Sequence, residues 1–429
     1  MAELETMKLH LHLVVAALTG LSLHQGLAQN IYGFQQNVIP WQQGLYLAGY
    51  DVLGDTWVWG DTLEYAEGFG LGSSTYDQWE DNFVFLGLPS GGMAGLQWMA
   101  QPVWMHNGAT FAEFEGTLHS IHHDMQSGQF YGLQGYGLDS TWVSWGGDEG
   151  YWQVDNWATR VVALTPENGD VNVEVVLALP WLEGVVAGAS CYDSDTHRFF
   201  IWGIDNTGQG RLVGVDCAVG EVVSDVSPSL EANQNLSEFE YNIVDGMLLG
   251  LRASLNSTNT SAVMELISVD PATGDITPRL ELPNLDSYTP DGTVFDQLNR
   301  MYVLHYYAGM GTSPHIMAID ATTWDILADN PLNQNFLELE MSNVAFADQR
   351  YSLSEVSEAP PTSAILSLEQ GRWTNLTHGA LAVTRMDQLG RVVGQSVLPP
   401  HGTMEVPSGF WMWTFDGQHG QVTRKTLRR

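Results

Sequence analysis

Basic residues are scarce in this sequence, and lysine occurs only as Lys8 and Lys425. The 429-residue chain has 15 lysines and arginines against 50 aspartates and glutamates, so its formal net charge is −35 at pH 7. A surface of this sign repels phosphate backbones and anionic lipid, which excludes nucleic acid and a membrane surface as partners. It attracts divalent cations instead.

Cysteine is almost as rare, since only Cys191 and Cys217 are present. Two residues make no disulfide framework of the kind found in small secreted domains. If the chain is exported, an oxidising compartment permits a disulfide between Cys191 and Cys217, and two buried free thiols are the alternative.

Long apolar runs are also missing, because no stretch after the N-terminus approaches the ~20 apolar residues of a membrane helix. The sequence therefore predicts no membrane insertion. At the N-terminus Lys8 precedes a short apolar run, Leu11 to Leu23, and the small residues Gly26 and Ala28 suit cleavage before Gln29. This pattern predicts a signal peptide over residues 1–28 and an exported mature chain.

Two hairpin patterns recur along the chain and predict an all-β fold. The first has an aromatic or apolar residue, an Asp or Asn turn and an apolar strand, as in Tyr76-Asp77 to Phe83. Its copies begin at His123-Asp124, Tyr192-Asp193, Phe295-Asp296 and, more loosely, at Tyr241-Asn242 and Phe346-Ala347-Asp348. Each copy is typical of a β-hairpin.

The second pattern alternates with the first and places an Asp-rich turn between two strands. Its copies begin at Asp51, Leu164, Val215, Val269 and Ile319, with a degraded copy between Leu96 and Phe111. We interpret the first pattern as the inner hairpin and the second pattern as the outer hairpin of one four-stranded unit. Together the two hairpins repeat every ~50 residues, the size of one propeller blade. Six of each predict about six blades over residues 29–353, with residues 31–63 completing the blade that begins near Asn335. An open β-sandwich array is the alternative.

One interval between inner hairpins is longer than the rest, and its extra residues lie around Tyr136 to Arg160. They fall in the link between the second and third strands of a blade. Indole rings can stack on sugars and nearby carboxylates can accept hydroxyl hydrogen bonds. The candidate ligand-binding residues for an extracellular glycan or protein are Trp142, Trp145, Asp148, Trp152 and Trp157. Alternatively, these tryptophans simply pack between sheets, as most of the 16 in the chain must.

The sequence contains little evidence for a metal site or a bound cofactor. His119, His122 and His123 are clustered, but His122 and His123 are adjacent on a predicted strand and so face opposite sides. The turns Asp193-Ser194-Asp195 and Asp270 to Asp275 are the nearest approaches to calcium loops, and they lack EF-hand spacing. We predict no cofactor, with structural calcium at such turns left open; aspartates that hydrogen-bond their own turn backbone are the alternative.

The C-terminal region differs from the acidic body. Residues 360–429 hold seven basic and four acidic residues, a net charge of +3, so with residues 1–28 removed the body carries −37. Ser, Thr and proline residues predict a linker over residues 354–364. Short strand-like segments then flank an Asp387-to-Arg391 turn, and Pro407-Ser408-Gly409-Phe410 and a basic end follow.

This tail, residues 365–429, resembles the type A C-terminal sorting domain of the Bacteroidota type IX secretion system. The positions that match the family's motifs are Asp387, Gly390, Arg391, Gly409, Phe410, Arg424 and Lys425. The resemblance implies a small β-sandwich that the type IX secretion machinery recognises in the periplasm. It also implies passage across the outer membrane, followed by release or attachment at the cell surface.

The body is predicted to be a non-catalytic binding or adhesion module, because no catalytic residues can be singled out. The Gly-x-Ser-x-Gly motif is absent, and carboxylates are too numerous for any one pair to stand out. The alternative is an extracellular hydrolase or lyase acting on polysaccharide or peptide. Two or three carboxylates with a His or Arg in a central pocket would favour the enzyme, and an open tryptophan-lined face would favour binding.

Overall fold

The structure is a computed structural model. It describes residues 31–35, 45–63, 66–89, 95–100, 105–111, 117–146, 149–167, 170–255, 262–309, 313–336, 338–351, 366–369, 372–375, 381–386, 392–399, 403–405, 409–417 and 420–428. The chain divides into two compact units, Met1–Ala347 and Asp348–Arg429. No helix in these described ranges has the length and apolarity needed to cross a membrane.

The described part of the first unit consists almost entirely of strands. They are β1 (Ile31–Gln35), β2 (Leu45–Asp51), β3 (Thr56–Leu63), β4 (Ala66–Asp77), β5 (Asn82–Pro89), β6 (Gly95–Ala100), β7 (Met105–Phe111), β8 (Thr117–His123), β9 (Phe130–Gly146), β10 (Glu149–Glu167), β11 (Asp170–Leu179), β12 (Leu182–Asp193), β13 (Arg198–Asp205), β14 (Gly210–Asp216), β15 (Glu221–Val226), β16 (Gln234–Asn242), β17 (Met247–Leu255), β18 (Ala262–Val269), β19 (Ile276–Glu281), β20 (Ser287–Asp296), β21 (Met301–Tyr307), β22 (Pro314–Asp320), β23 (Ile326–Pro331) and β24 (Glu340–Met341).

These strands form six antiparallel blades of four strands each. Five blades are consecutive, β4–β7, β8–β11, β12–β15, β16–β19 and β20–β23, and the sixth has the order β24-β1-β2-β3. The outermost strands of two neighbouring blades, β7 and β11, also pair in parallel, with Asp170 opposite Thr110, and this pairing joins the two blades into one sheet. The predicted all-β propeller with six blades is confirmed.

The sixth blade is built from both ends of the unit. Strand β24 pairs antiparallel with β1, with Met341 opposite Ile31 and Glu340 opposite Tyr32. Apolar side chains then fill the space between this blade and its neighbour: the Phe34 ring meets the rings of Phe83 and Phe85 at centroid distances of 5.2 and 4.9 Å. Edge-to-face pairs of this kind add to the stabilisation from burial alone.

The buried fraction of the side chains decreases from the inner strands of a blade to its outermost strand. The second strand β13 buries four consecutive residues from Phe199 to Trp202, because neighbouring blades cover both of its faces. The outermost strand β15 leaves Val222 and Val223 more than 40 % exposed. The continuous apolar runs of the inner strands therefore reflect two-sided packing.

Most of the described hairpin turns share one arrangement. An Asp or Asn ends the first strand and its side chain accepts backbone N–H groups two and three residues later, as Asp77 does from Trp79 and Glu80. The residue four positions after the Asp or Asn has positive φ, for example Gly274 (φ +77) after Asp270. The turn after Asp205 differs, because Asp205 accepts the Thr207 and Gln209 N–H groups and the positive φ lies at Gly208. Aspartate favours such turns because its oxygen satisfies its own backbone, which explains the repeated patterns in the sequence.

The loosest of the predicted inner hairpins, at Phe346-Ala347-Asp348, is wrong. These residues lie in a short helix, α1 (Val344–Arg350). In the described residues the chain passes from β24 into α1, and Asn343 between them contacts the neighbouring blade: its side chain accepts the Gln297 N–H at 3.0 Å and donates to the Phe295 carbonyl at 3.0 Å.

The two cysteines are buried free thiols, so the disulfide that the sequence permits is not formed. Cys191 lies on β12 and pairs with Phe200 of β13, and β13 separates it from β14, after which Cys217 follows. Two strand spacings amount to about 9–10 Å, whereas the Cα atoms of a disulfide lie within about 7 Å.

The described part of the second unit is a small β-sandwich, as predicted. Its strands are β25 (Leu366–Glu369), β26 (Arg372–Asn375), β27 (Leu381–Met386), β28 (Val392–Leu398), β29 (Thr403–Glu405), β30 (Gly409–Gly417) and β31 (Gly420–Arg428). They form two sheets, with the orders β25-β26-β29 and β28-β27-β30-β31. Trp373, Leu381, Val383, Leu398 and Trp413 form the core between them.

Candidate functional site

A ring of polar residues surrounds the axis of the first unit. Each innermost strand from β4 to β20 loses register with its neighbour, at two places in β4 and β12 and at one place in β8, β16 and β20. In each strand a residue with positive φ lies in one of these bulges. Glu338 stands two residues before Glu340, as Glu238 in the bulge of β16 stands two residues before Glu240. These positions, the first tier, are Gly72, Ser120, Gly188, Glu238, Asp291 and Glu338.

Three members of the first tier are acidic, and each has a buried side-chain oxygen, although Asp291 as a whole is partly exposed. Glu238 and Glu338 have no exposed surface. Glu338 Oε1 accepts the Gly72 N–H at 2.6 Å, and Glu238 Oε2 accepts the Gly292 N–H at 3.1 Å. The remaining oxygens, Glu238 Oε1, Glu338 Oε2 and Asp291 Oδ2, are buried without a hydrogen-bond partner. An unpaired buried acceptor of this kind is costly and rare in native proteins.

The small residues of the first tier make room for its acids. A Cβ atom on Gly188 would lie 2.3 Å from Glu238 Oε1, and a Cβ atom on Gly72 would lie 2.2 Å from Asp291 Oδ2. Both glycines also have positive φ, +68° and +71°. Glycine satisfies the backbone conformation and the close approach at once.

The second tier consists of the first paired residue after each bulge, together with Glu340. Its members are Ser74, His122, Ser190, Glu240, Thr293 and Glu340. They hydrogen-bond in pairs between adjacent blades. The Ser74 hydroxyl donates to Glu340 at 2.9 Å, the Thr293 hydroxyl donates to Glu240 at 3.2 Å, and His122 Nε2 lies 3.3 Å from Ser190 Oγ.

Burial dominates the electrostatics of both tiers. It raises the pKa of Glu238, Glu240, Glu338 and Glu340 well above the usual value, and that of Asp291 to about 6. Burial also lowers the pKa of His122 to about 4, so this imidazole is neutral at pH 7. The desolvated charged form is disfavoured in each case.

The ion pairs of the body's arginines lie away from these acids. In the described residues, Arg211 pairs with Asp225 and Arg252 with Glu265 on the outer strands. Arg300 pairs with Asp245. The two tiers thus contain five acidic side chains and no basic residue other than a neutral histidine.

A cavity of about 120 Å³ adjoins the two tiers. Its lining includes Asp291, Glu240 and Glu340 together with the imidazole of His122. This arrangement can accept hydrogen bonds from, or neutralise, a small positively charged or hydroxylated group. As the side chains stand, no three acidic, histidine or cysteine residues within the described ranges are grouped closely enough to hold a bare metal ion.

The clustered histidines point to different neighbours. His122 faces Ser190 of the next blade. His123 Nδ1 accepts the Gln78 N–H at 3.2 Å, which leaves its Nε2, 3.2 Å from Asp77, to carry the proton. The prediction that His122 and His123 cannot bind one ion together agrees with this geometry.

The acidic turns considered for calcium satisfy their own backbones. Asp193 Oδ1 accepts the Asp195 N–H at 2.9 Å. Asp270 Oδ1 accepts the N–H groups of Ala272 and Thr273 at 2.8 and 3.3 Å. These contacts support the alternative in which turn aspartates are structural.

The predicted ligand-binding tryptophans lie on a long hairpin, formed by the ends of β9 and β10. Trp142 and Trp157 are 43 % and 45 % exposed. Trp152 of β10 is the register partner of Trp142, and Trp145 lies further along β9. Asp148 lies outside the described residues. The hairpin joins the second and third strands of its blade, where the sequence places the insertion.

The predicted sorting residues are only partly described. Gly409 and Phe410 begin β30, and Arg424 and Lys425 lie on the adjacent β31, where Lys425 is the register partner of Met412. Asp387, Gly390 and Arg391 lie outside the described residues.

Sequence reasoning did not find the two tiers. The available signal was a Glu-x-Glu pair at Glu238 and Glu240 that recurs at Glu338 and Glu340, in equivalent innermost strands of different blades. Such a pair places both side chains on one face of a strand. Among 50 acidic residues this repeat carries little weight until the blades are aligned.

Comparisons with known proteins give no family. No family model matches the chain, and no curated protein matches it. Among solved structures, the chain is similar to one from a nidogen/laminin complex, with 8 % identity, a TM-score of 0.45, and coverage of 74 % of this chain and 99 % of that one.

Two further solved structures are similar at the same low level. TolB from Acinetobacter baumannii is 9 % identical with a TM-score of 0.36, covering 95 % of this chain and 82 % of TolB. Kuenenia stuttgartiensis hydrazine synthase is 9 % identical with a TM-score of 0.46, covering 94 % of this chain and 68 % of that one. The assignment as a six-bladed propeller rests on the strand order of the chain itself.

Proposed function

We propose that this chain is a secreted or cell-surface binding protein, exported by the type IX secretion system. The observation that carries the binding role is the β9–β10 hairpin with its two exposed indoles, Trp142 and Trp157. Large exposed aromatic side chains on a structured hairpin offer flat stacking surfaces at low entropic cost. The proposed ligand is an extracellular glycan or a protein presented outside the cell.

Alanine at Trp142 or Trp157 is expected to weaken binding of the glycan found by array screening about tenfold, the equivalent of ~1.4 kcal/mol. The full mature chain is screened on the array, and the dissociation constants of the variants are then measured by titration calorimetry. Trp57→Ala is the matched control, because this indole is 40 % exposed but lies on β3. Unchanged affinity in both hairpin variants, or an equal loss in the control, argues against the hairpin as the binding site.

Removal of residues 365–429 is expected to leave the protein in the periplasm of a host that has a type IX secretion system. The reason is the resemblance of the tail to sorting domains, and the small β-sandwich in the described part of this region is compatible with it. Cell fractionation and immunoblotting measure the distribution. The converse test fuses residues 365–429 to a periplasmic reporter, which should then reach the cell surface or the medium. Normal export of the truncated chain contradicts the assignment.

An extracellular hydrolase or lyase is the second candidate. The specific observation in its favour is the cavity that brings Asp291, Glu240 and Glu340 together with His122. Carboxylates with raised pKa beside a neutral imidazole are groups that general acid and base catalysis uses. Incubating the glycans that bind with the protein, and assaying new reducing ends, separates cleavage from binding alone.

A further inference from the structure

We propose that the first and second tiers together bind a hydrated divalent cation, calcium or magnesium, on the axis of the propeller. This site is independent of the proposed recognition by the tryptophan hairpin. It also differs from the acidic hairpin turns, whose aspartates are used by their own backbones.

Three buried oxygens point to a ligand beyond the protein. Glu238 Oε1, Glu338 Oε2 and Asp291 Oδ2 have no hydrogen-bond partner, although each of these oxygen atoms is buried. They come from three different blades, and the glycines at positions 72 and 188 leave space for two of them. A buried acceptor without a donor is expected where an ion or ordered water completes its coordination.

The charge balance favours a cation as that ligand. Five acidic side chains, Glu238, Glu240, Asp291, Glu338 and Glu340, contribute to the tiers. The other side chains of the tiers are hydroxyls and the neutral His122. Burying several carboxylates without a counter-charge is unfavourable, and buried charges are normally paired or bound to metal. Hard divalent cations prefer oxygen ligands, above all carboxylates.

The geometry indicates that water completes the coordination. No three ligands within the described residues are grouped closely enough to hold a bare ion. The adjoining cavity of about 120 Å³ is lined by Asp291 and by the second tier, and not by Glu238 or Glu338. It has room for several water molecules, each of which needs about 10–15 Å³ on this scale. Calcium often takes water ligands, and magnesium keeps several of its own.

Cation binding at this site should release protons. The bound ion requires ionised carboxylates, whereas burial raises the pKa of all five acids. The groups that face the cation are these five acids and His122, which stays neutral above pH 5. Metal affinity is therefore expected to rise with pH.

The test is titration calorimetry of the full mature chain after treatment with EDTA, with CaCl₂ or MgCl₂ as the titrant. We expect one tight site per chain for at least one of the two ions. Repeating the titration in buffers of different ionisation enthalpy should show proton release. The affinity should be about tenfold higher at pH 7.5 than at pH 5.5.

The double variant Glu238→Gln, Glu338→Gln should lose at least about tenfold in affinity. The matched control, Asp270→Asn with Asp275→Asn, removes the same number of charges from an exposed turn and should bind as the parent does. If the Glu238 and Glu338 double variant does not fold, as judged by circular dichroism, Asp291→Asn takes its place.

Three outcomes would overturn the proposal. The first is the absence of calcium and magnesium binding. The second is binding that the turn variant loses as strongly as the tier variant, which would assign the ions to the acidic surface. The third is binding of putrescine or guanidinium without binding of either metal, which would make the occupant an organic cation.

Discussion

Replacing Asp124 by alanine is expected to lower the free energy of unfolding by about 2–3 kcal/mol. Asp124 is completely buried. Its carboxylate accepts the Gln126 N–H at 2.9 Å and the Ser127 hydroxyl at 2.6 Å. It also reaches the next blade, where it lies 2.7 Å from His197 Nδ1 and 3.3 Å from the Tyr192 hydroxyl. Urea unfolding followed by tryptophan fluorescence measures the loss.

The expected loss of stability is large because alanine would leave several hydrogen-bonding groups without their partner. The turn after β8 would lose its side-chain acceptor, and the buried Tyr192 hydroxyl would lose its partner in the next blade. The His197 side chain is 29 % exposed, so water can replace its partner. An unsatisfied buried polar group costs ~1–3 kcal/mol, and more when charge is involved. One side chain thus couples a turn within its own blade to the packing between two blades.

Asp270→Ala is the matched control for Asp124→Ala. Asp270 occupies the same place in a hairpin turn, but its side-chain bonds in the described structure are to its own backbone, at Ala272 and Thr273. Its loss should be about 1 kcal/mol, the usual value for a local cap. Equal losses in the two variants would show that the contacts between blades add nothing.

The blades could be predicted because their information is local. A turn aspartate or asparagine, followed four residues later by a positive-φ position, marks most of the described hairpins, and the flanking apolar residues mark the strands. The same locality explains the error at Phe346-Ala347-Asp348, which resembles the pattern but lies in a helix. The side chain that contacts the neighbouring blade there is Asn343, and its bonds to Gln297 and Phe295 span more than 40 residues.

The two tiers could not be predicted because their information is not local. The hydrogen bond from Gly72 to Glu338 joins residues 266 apart, and so does the one from Ser74 to Glu340. Each tier takes one residue from each blade, so it exists only once the ring has closed. Each bulge also shifts the strand register. The alternation of side chains along the sequence therefore does not predict which of them face the axis.

In the metal-free protein, the Asp291 carboxyl is expected to favour folding at pH 5 over pH 8 by about 1.4 kcal/mol, opposite in sign to the carboxylates that drive ordinary acid denaturation. Burial raises the pKa of Asp291 from its ordinary value of 3.8 to about 6. Between these values the folded state binds more protons than the unfolded state, so the contribution of Asp291 to stability falls as pH rises. About one pKa unit of this shift lies between pH 5 and pH 8, and one unit is worth about 1.4 kcal/mol.

The other four acids of the two tiers act in the same direction, because desolvation raises the pKa of each. His119, His122 and His305 act in the opposite direction below pH 6.5, because burial lowers the pKa of each to about 4. Thermal or urea unfolding in EDTA, at intervals from pH 4.5 to pH 8.5, measures the slope. General repulsion within a chain of charge −35 also favours lower pH. A comparison with a variant is therefore needed to isolate the tiers.

Asp291→Asn provides that comparison, since asparagine is nearly isosteric and tolerates the positive φ of +55° at this position. The variant should be less sensitive to pH than the parent, and its advantage should grow from pH 5 to pH 8. Asp270→Asn removes one charge from an exposed turn, so it should keep the parent's slope. If Asp291→Asn and Asp270→Asn change the slope equally, the pH dependence arises from the net charge of the surface. A larger change in Asp291→Asn alone would locate it on the propeller axis.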